Sequence, residues 1–207
     1  MESFPCAAPV NNQAMLFGSG VGTLPIEFPK GVAVRLPKGN QVVLNLHLYN
    51  TSPKPLSGES GTRIRVVAPA QVEVEAEAML MGTPAISLDP EKTTTVTGNC
   101  TQVADTTIFS VTPHMHKLGT HFKVVAESGQ QGDQVLYDED YSFDSQVVRM
   151  LDQQVPMLKG EKVRVECTYE NTTTKTVTFG ESTYDEMCFA GVYRYPATPG
   201  GFFVCIS

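Results

Sequence analysis

The sequence predicts an all-β sandwich. Three observations carry this: alternating or β-branched runs recur along the chain, clusters of Gly, Pro, Asn or Asp separate them, and no segment holds a helical period. Taken in order, the run 41–49 sets Val and Leu around Asn45 and His47, and 62–67 alternates Ile and Val with Arg. The run 72–81 alternates Val and Ala with Glu before Met-Leu-Met, and 93–97 is all Thr and Val. Short β-branched and aromatic runs follow at 107–111 and 122–126, and 162–169 alternates Val with charged residues. The last two predicted strands are 176–179 and 189–195. The stretch 51–61, rich in Pro, Gly and Ser, predicts a long surface loop or a linker, and Ala68-Pro-Ala-Gln71 predicts a second break. Neither a Walker pattern nor a Rossmann glycine fingerprint is present, so nucleotide chemistry has no support.

At 207 residues the chain can hold one large β domain, or one complete domain with part of another. Its net charge of −7, with both signs mixed along the chain, supplies no basic face for nucleic acid or an anionic membrane. No apolar run approaches the roughly 20 residues needed to cross a bilayer. Residues 1–10 lack the basic start and apolar core of a signal peptide, so the sequence as given is expected to be soluble without an export address. Five cysteines, Cys6, Cys100, Cys167, Cys188 and Cys205, show no short paired spacing of a structural zinc site. Their scatter suits disulfides in an oxidising compartment, with four able to pair and one left over; the alternative is five buried thiols. Asn50, Asn99 and Asn171 each begin an Asn-x-Ser/Thr triplet, a pattern that a Thr-rich chain produces often by chance.

The sharpest local signal is Thr112-Pro-His-Met-His-Lys-Leu-Gly-Thr120. In a strand, side chains at i and i+2 share a face with Cα atoms roughly 6.5 to 7 Å apart, so His114 and His116 can close on one metal ion. His121 has the opposite parity and follows a turn at Gly119, which predicts a surface or core histidine. His47 stands alone in an apolar run and by itself reads as a core histidine. Downstream, Gly180-Glu-Ser-Thr-Tyr-Asp-Glu-Met-Cys188 sets Met187 beside a cysteine just before an apolar strand. Imidazole suits Zn, Cu, Fe and Ni, whereas a thioether favours Cu(I); if Met187 joins the two histidines, the metal is copper.

The combination of His-x-His with Asp-Glu-Met-Cys resembles the copper type II, ascorbate-dependent monooxygenases. The resemblance implies two consecutive nine-stranded jelly-roll domains, each with one copper, the second copper held by a His-x-His pair and a methionine: here His114, His116 and Met187. It implies the disulfides Cys100–Cys205 and Cys167–Cys188. The run Ala78-Met-Leu-Met-Gly-Thr83 is similar to the strand that opens the family's second domain. Phe28-Pro-Lys-Gly-Val-Ala-Val-Arg35 with Leu44-Asn-Leu-His-Leu-Tyr49 is similar to the strands that carry the last copper histidine of the first domain, making His47 that ligand. Residues 1–70 are then expected to be the closing part of a first β domain, and residues 71–207 a complete second one. The adjacent histidine pair of the first site has no counterpart, and Cys6 has no identified partner. A fragment of a longer enzyme, with a copper domain upstream, is the reading this favours over a relative that has lost its first site.

The function the resemblance implies is hydroxylation of a C–H bond in a small organic substrate with O2 at the His2Met copper and ascorbate as reductant. Asp185 and Glu186 read as supporting or surface residues. A peptide-hydroxylating member of the family uses an arginine two residues before the His-x-His pair and a tyrosine four residues after the methionine. This chain has Thr112 and Gly191 there, so recognition of a peptide carboxylate does not carry over. The alternative is a secreted or periplasmic copper carrier without oxygenase activity. A blue-copper carrier is disfavoured because no histidine follows Cys188. The third reading is a structural β-sandwich with incidental histidines.

Overall fold

The computed structural model describes residues 15–18, 24–44, 46, 50, 52–129, 131–198 and 204–207. In chain order they form β1 (Val32–Val34), a 3-10 turn (Pro69–Gln71), β2 (Val74–Thr83), β3 (Ser87–Leu88), β4 (Lys92–Thr101), β5 (Thr106–His114) and β6 (Gly119–Glu127). There follow β7 (Gln134–Asp140), β8 (Arg149–Met157), β9 (Lys162–Asn171), β10 (Val177–Thr178), β11 (Cys188–Tyr195) and β12 (Val204–Ile206). The result is an all-β sandwich. One sheet runs β1-β2-β11-β5-β8 with β12 also on β2, the second runs β4-β9-β6-β7, and β3 pairs with β10. Among the named strands, β1 and β12 pair in parallel, both with β2, near its two ends. Among the described residues no helix is long and apolar enough to cross a membrane.

Strand alternation assigns the faces. On β2, Met79 and Met81 enter the core between the sheets, while Ala76 and Ala78 face outward into a second cluster. On β11, Cys188, Ala190 and Val192 point inward and Tyr193 outward. The opposite sheet answers with Phe122, Val124, Val163, Val165 and Tyr169, all fully buried. Each large apolar side chain so buried contributes about 1.5–3 kcal/mol. The outer cluster of Ala76, Ala78, Phe109 and Tyr193 is covered by Met15, Ile26, Phe28, Val32 and Val34 from the N-terminal segment. The Phe28 ring lies 4.7 Å from that of Tyr193.

Two bridges join the sheets. Cys100 of β4 pairs with Cys205 of β12, and Cys167 of β9 with Cys188 of β11, with Cα separations of 5.5 and 5.8 Å. Near the second bridge the sheets touch backbone to backbone. A Cβ added to Gly98 of β4 would lie 2.6 Å from the Gly82 carbonyl carbon of β2, so no other residue fits there without moving a strand. Buried Arg194 is held at the other end of β11: Nε donates to Glu77 at 2.8 Å and Nη1 to Gln102 Oε1 at 2.6 Å.

Seven of the nine predicted strands overlap observed ones, usually as the centre of a longer element. Two do not. Residues 41–44, 46 and 62–67 carry no strand, the rest of the run 41–49 lies outside the described residues, and Val42, Val43, Leu44, Ile64 and Val66 are exposed. A strand needs a ladder partner for its backbone groups, and among the described residues none is aligned with these. Conversely, β7 and β8 escape prediction because both are edge strands rich in polar residues, and β8 contains Pro156, tolerable only at an edge or a bulge.

Candidate metal centre

His114 closes β5, directly opposite Phe189 of β11. The next residue, Met115, turns into the core, fully buried, and the chain then leaves the strand so that His116 returns to the side of His114. Their ring centroids are 5.5 Å apart at 86°. The intervening peptide is clamped: Tyr141 donates its hydroxyl proton to the Met115 carbonyl at 2.6 Å and accepts the Met115 N–H at 3.1 Å. Phe143, two residues further, sets its ring edge-on to that of His116, with centroids 6.3 Å apart. Gln146 completes the same loop, its Oε1 lying 2.7 Å from His114 Nδ1.

The segment carrying Met187 arrives from a tight loop. Asp185 N–H donates to Ser182 O at 2.9 Å, and Gly180 N–H to Glu186 O at 3.2 Å. A Cβ at 180 would stand 2.2 Å from the Asp185 carboxylate, so a larger residue there needs the Asp185 side chain to shift. This loop is bonded to the histidine turn at three points. Asp185 O accepts from His116 Nδ1 at 2.9 Å; Glu186 accepts the His116 N–H at 2.8 Å and the Leu118 N–H at 2.7 Å. A backbone carbonyl only accepts, so Nδ1 of His116 carries the proton. Glu186 and Cys188 both point inward, which turns the half-buried Met187 between them to the face bearing His114. Tyr169 fixes the Met187 backbone by donating to its carbonyl at 2.7 Å.

Burial sets the electrostatics. The fully buried Glu186 carboxyl is pushed up to about 7 by desolvation, against the pull of backbone N–H groups of Leu118, His116 and Met187. Burial, with the nearby Glu186 charge, also raises the Tyr169 phenol. Among the described residues no three His, Cys, Asp or Glu side chains are placed to hold a metal.

The remaining sequence expectations fall elsewhere. His121 sits on β6 with Nε2 at 3.2 Å from Asp138, away from the paired histidines. His47 and Cys6 lie outside the described residues. Asn171 is fully buried, its amide donating to the carbonyls of Leu88, Asp89 and Lys175, and cannot carry a glycan in this fold. Sequence reasoning missed Gln146, Tyr141 and Tyr169 and underrated Glu186. A signal for Glu186 was available: it has the same parity as Cys188, Ala190 and Val192, a carboxylate at a core-facing position.

Residues 74–207 match the family described as copper type II ascorbate-dependent monooxygenase, C-terminal domain. The chain is similar to dopamine beta-hydroxylase of Rattus norvegicus, 32% identical over 197 residues, covering 86% of this chain and 32% of that one. It is also similar to dopamine beta-hydroxylase of Equus caballus, 30% identical over 177 residues, covering 77% and 29%. MOXD1 homolog 1 of Drosophila melanogaster is 33% identical over 91 residues, covering 43% and 13%. The chain spans about a third of the length of the first two of these curated relatives.

Proposed function

Since the chain belongs to the copper type II, ascorbate-dependent monooxygenase family, we propose that His114, His116 and Met187 hold the copper at which a small organic substrate is hydroxylated with O2. In that reaction one oxygen atom enters a C–H bond, the other leaves as water, and ascorbate supplies two electrons. The copper, when bound, supplies the redox and O2 chemistry, and two imidazoles with a thioether are donors that favour Cu(I).

The observation that carries this reading is the triple anchoring of the histidine turn to residues 185 and 186, which delivers the Met187 segment to the paired imidazoles. The donor set fits the metal: Nδ1 of each ring meets a protein oxygen, so Nε2 is the nitrogen each would offer. Glu186 has both carboxylate oxygens on backbone N–H groups and serves to hold the turn. Beside His114 the sheet presents Thr112 opposite Gly191, with Leu80 next to them. That floor is uncharged, and we read the part of the substrate that meets it as uncharged too. Residues 1–70 we read as the closing part of a first copper domain that includes His47. The exposed Val42, Val43, Leu44, Ile64 and Val66 support this as a surface made to be covered. Two disulfides fit an oxidising compartment, secreted or periplasmic.

The test is anaerobic Cu(I) binding against a competing chelator by the disulfide-intact protein, with His114→Ala and Met187→Ile alongside. One Cu(I) per chain, weakened by both substitutions, is expected; binding indifferent to both would overturn the site. Ascorbate-driven O2 consumption coupled to a hydroxylated product separates the enzyme from a copper carrier.

A further inference from the structure

One loop, residues 141–146, reaches both histidines, and its last contact determines more than position. Gln146 Nε2 donates to the Phe143 carbonyl at 3.1 Å. A carbonyl cannot donate, so this bond fixes which way the Gln146 amide is turned and leaves Oε1 facing His114 Nδ1 at 2.7 Å. Oε1 is itself only an acceptor, so the proton must sit on His114 Nδ1. The Asp185 carbonyl imposes the same form on His116 from the other side.

From this chain of bonds we propose that Gln146 is a positioning residue that holds His114 as its Nδ1–H tautomer and so directs Nε2 to the metal. The proposal rests on the copper reading for its consequence and on the hydrogen bonds alone for the tautomer. Both histidines then present the same nitrogen, although one is set by a backbone carbonyl and the other by a replaceable side chain. An imidazole released from such a partner favours the Nε2–H form, which carries its proton on the nitrogen the metal needs. Gln146 is 9% exposed, so its amide is largely sheltered from competing water.

The experiment is long-range 1H–15N NMR of the histidine rings in the metal-free, disulfide-intact protein, which reads directly which ring nitrogen carries a proton, paired with Cu(I) competition. The native protein is expected to show protonated Nδ1 at both His114 and His116. Gln146→Leu should move His114 to the Nε2–H form, leave His116 unchanged, and weaken Cu(I) binding by about 10- to 100-fold. Gln146→Glu, which keeps an acceptor, should retain the Nδ1–H form at His114 and restore most of the affinity. An Nε2–H form of His114 in the native protein, or no change at His114 in Gln146→Leu, would overturn the proposal. If Gln146→Leu disturbs both histidines, the glutamate variant decides: Nδ1–H at His114 supports the proposal, and Nε2–H overturns it. A native protein with the stated tautomers that takes up no Cu(I) supports the Gln146 assignment and overturns the copper reading instead.

Discussion

The Glu186 carboxylate accepts the backbone N–H of His116 at 2.8 Å, from a position with no solvent exposure. The bond joins the strand end that carries the paired histidines to the loop that carries Met187, and a second bond, from Leu118 N–H at 2.7 Å, makes the join rigid.

Glu186→Ala should therefore strip two backbone donors of their buried acceptor. The expected cost is about 3 kcal/mol in urea unfolding, since each stranded donor costs about 1–3 kcal/mol. Cu(I) affinity should fall by about 10-fold or more as the turn loosens. Unchanged stability would contradict the clasp.

The same carboxyl gives the metal-free protein a pH signature. Its folded value of about 7 lies above the ordinary 4.5, so the folded chain binds the proton more tightly than the unfolded one. This contribution is fully present below about pH 4.5 and is lost as pH rises through about 7, a change of at most roughly 3 kcal/mol. Asp138, Glu139 and Glu161 are held below their usual values, chiefly by hydrogen bonds to Lys123, to Arg149 and to the Leu158 N–H respectively, and act in the opposite sense at lower pH. Urea midpoints measured from about pH 5 to about pH 8 should fall for the native protein and stay nearly level for Glu186→Gln. A native midpoint that rises across this range would refute the assignment.

The two disulfides should separate stability from metal binding. Cys100–Cys205 closes a sequence separation of 105 and Cys167–Cys188 one of 21, for which chain entropy gives about 4.7 and about 3 kcal/mol. Replacing the first pair by serine should cost more stability. Replacing the second should cost more Cu(I) affinity, because Cys188 follows Met187 directly. Equal losses of affinity would show that the second bridge has no special hold on the thioether.

Arg194→Leu serves as a control remote from the histidines. It leaves Glu77 without its partner and Gln102 Oε1 with only the Thr106 hydroxyl of its two donors, and should destabilise by about 3–5 kcal/mol. Cu(I) affinity of the folded fraction should not change. A matching loss of affinity would mean that the whole of β11 responds as one unit.

The strands legible in the sequence were those whose two faces differ. β9 alternates clearly because one face meets the core, whereas β11 reads as a near-continuous apolar run because both of its faces are covered, and β5 ends on His114. β7 and β8 are not legible, since an edge strand with an exposed face needs little apolar patterning. The run 41–49 has the composition of a strand, and its described residues show that composition without a partner makes none. At the proposed site, His114 and His116 are picked out by their spacing, and Met187 by its neighbours. Gln146 is not, because a polar residue in a polar loop looks the same whether it faces water or an imidazole.

The Cys167–Cys188 bridge also bears on the order in which this domain can mature. The bond draws the end of the Met187 loop onto β9, across the core from the strand that ends at His114. Until it closes, the residue before Cys188 is held by the hydrogen bonds of Asp185, Glu186 and Tyr169 rather than by a covalent tie. Copper reaching the chain at that stage would meet the two imidazoles before that tie is made. On the copper reading, thiol oxidation before metallation is the order in which the thioether is covalently anchored when the metal arrives.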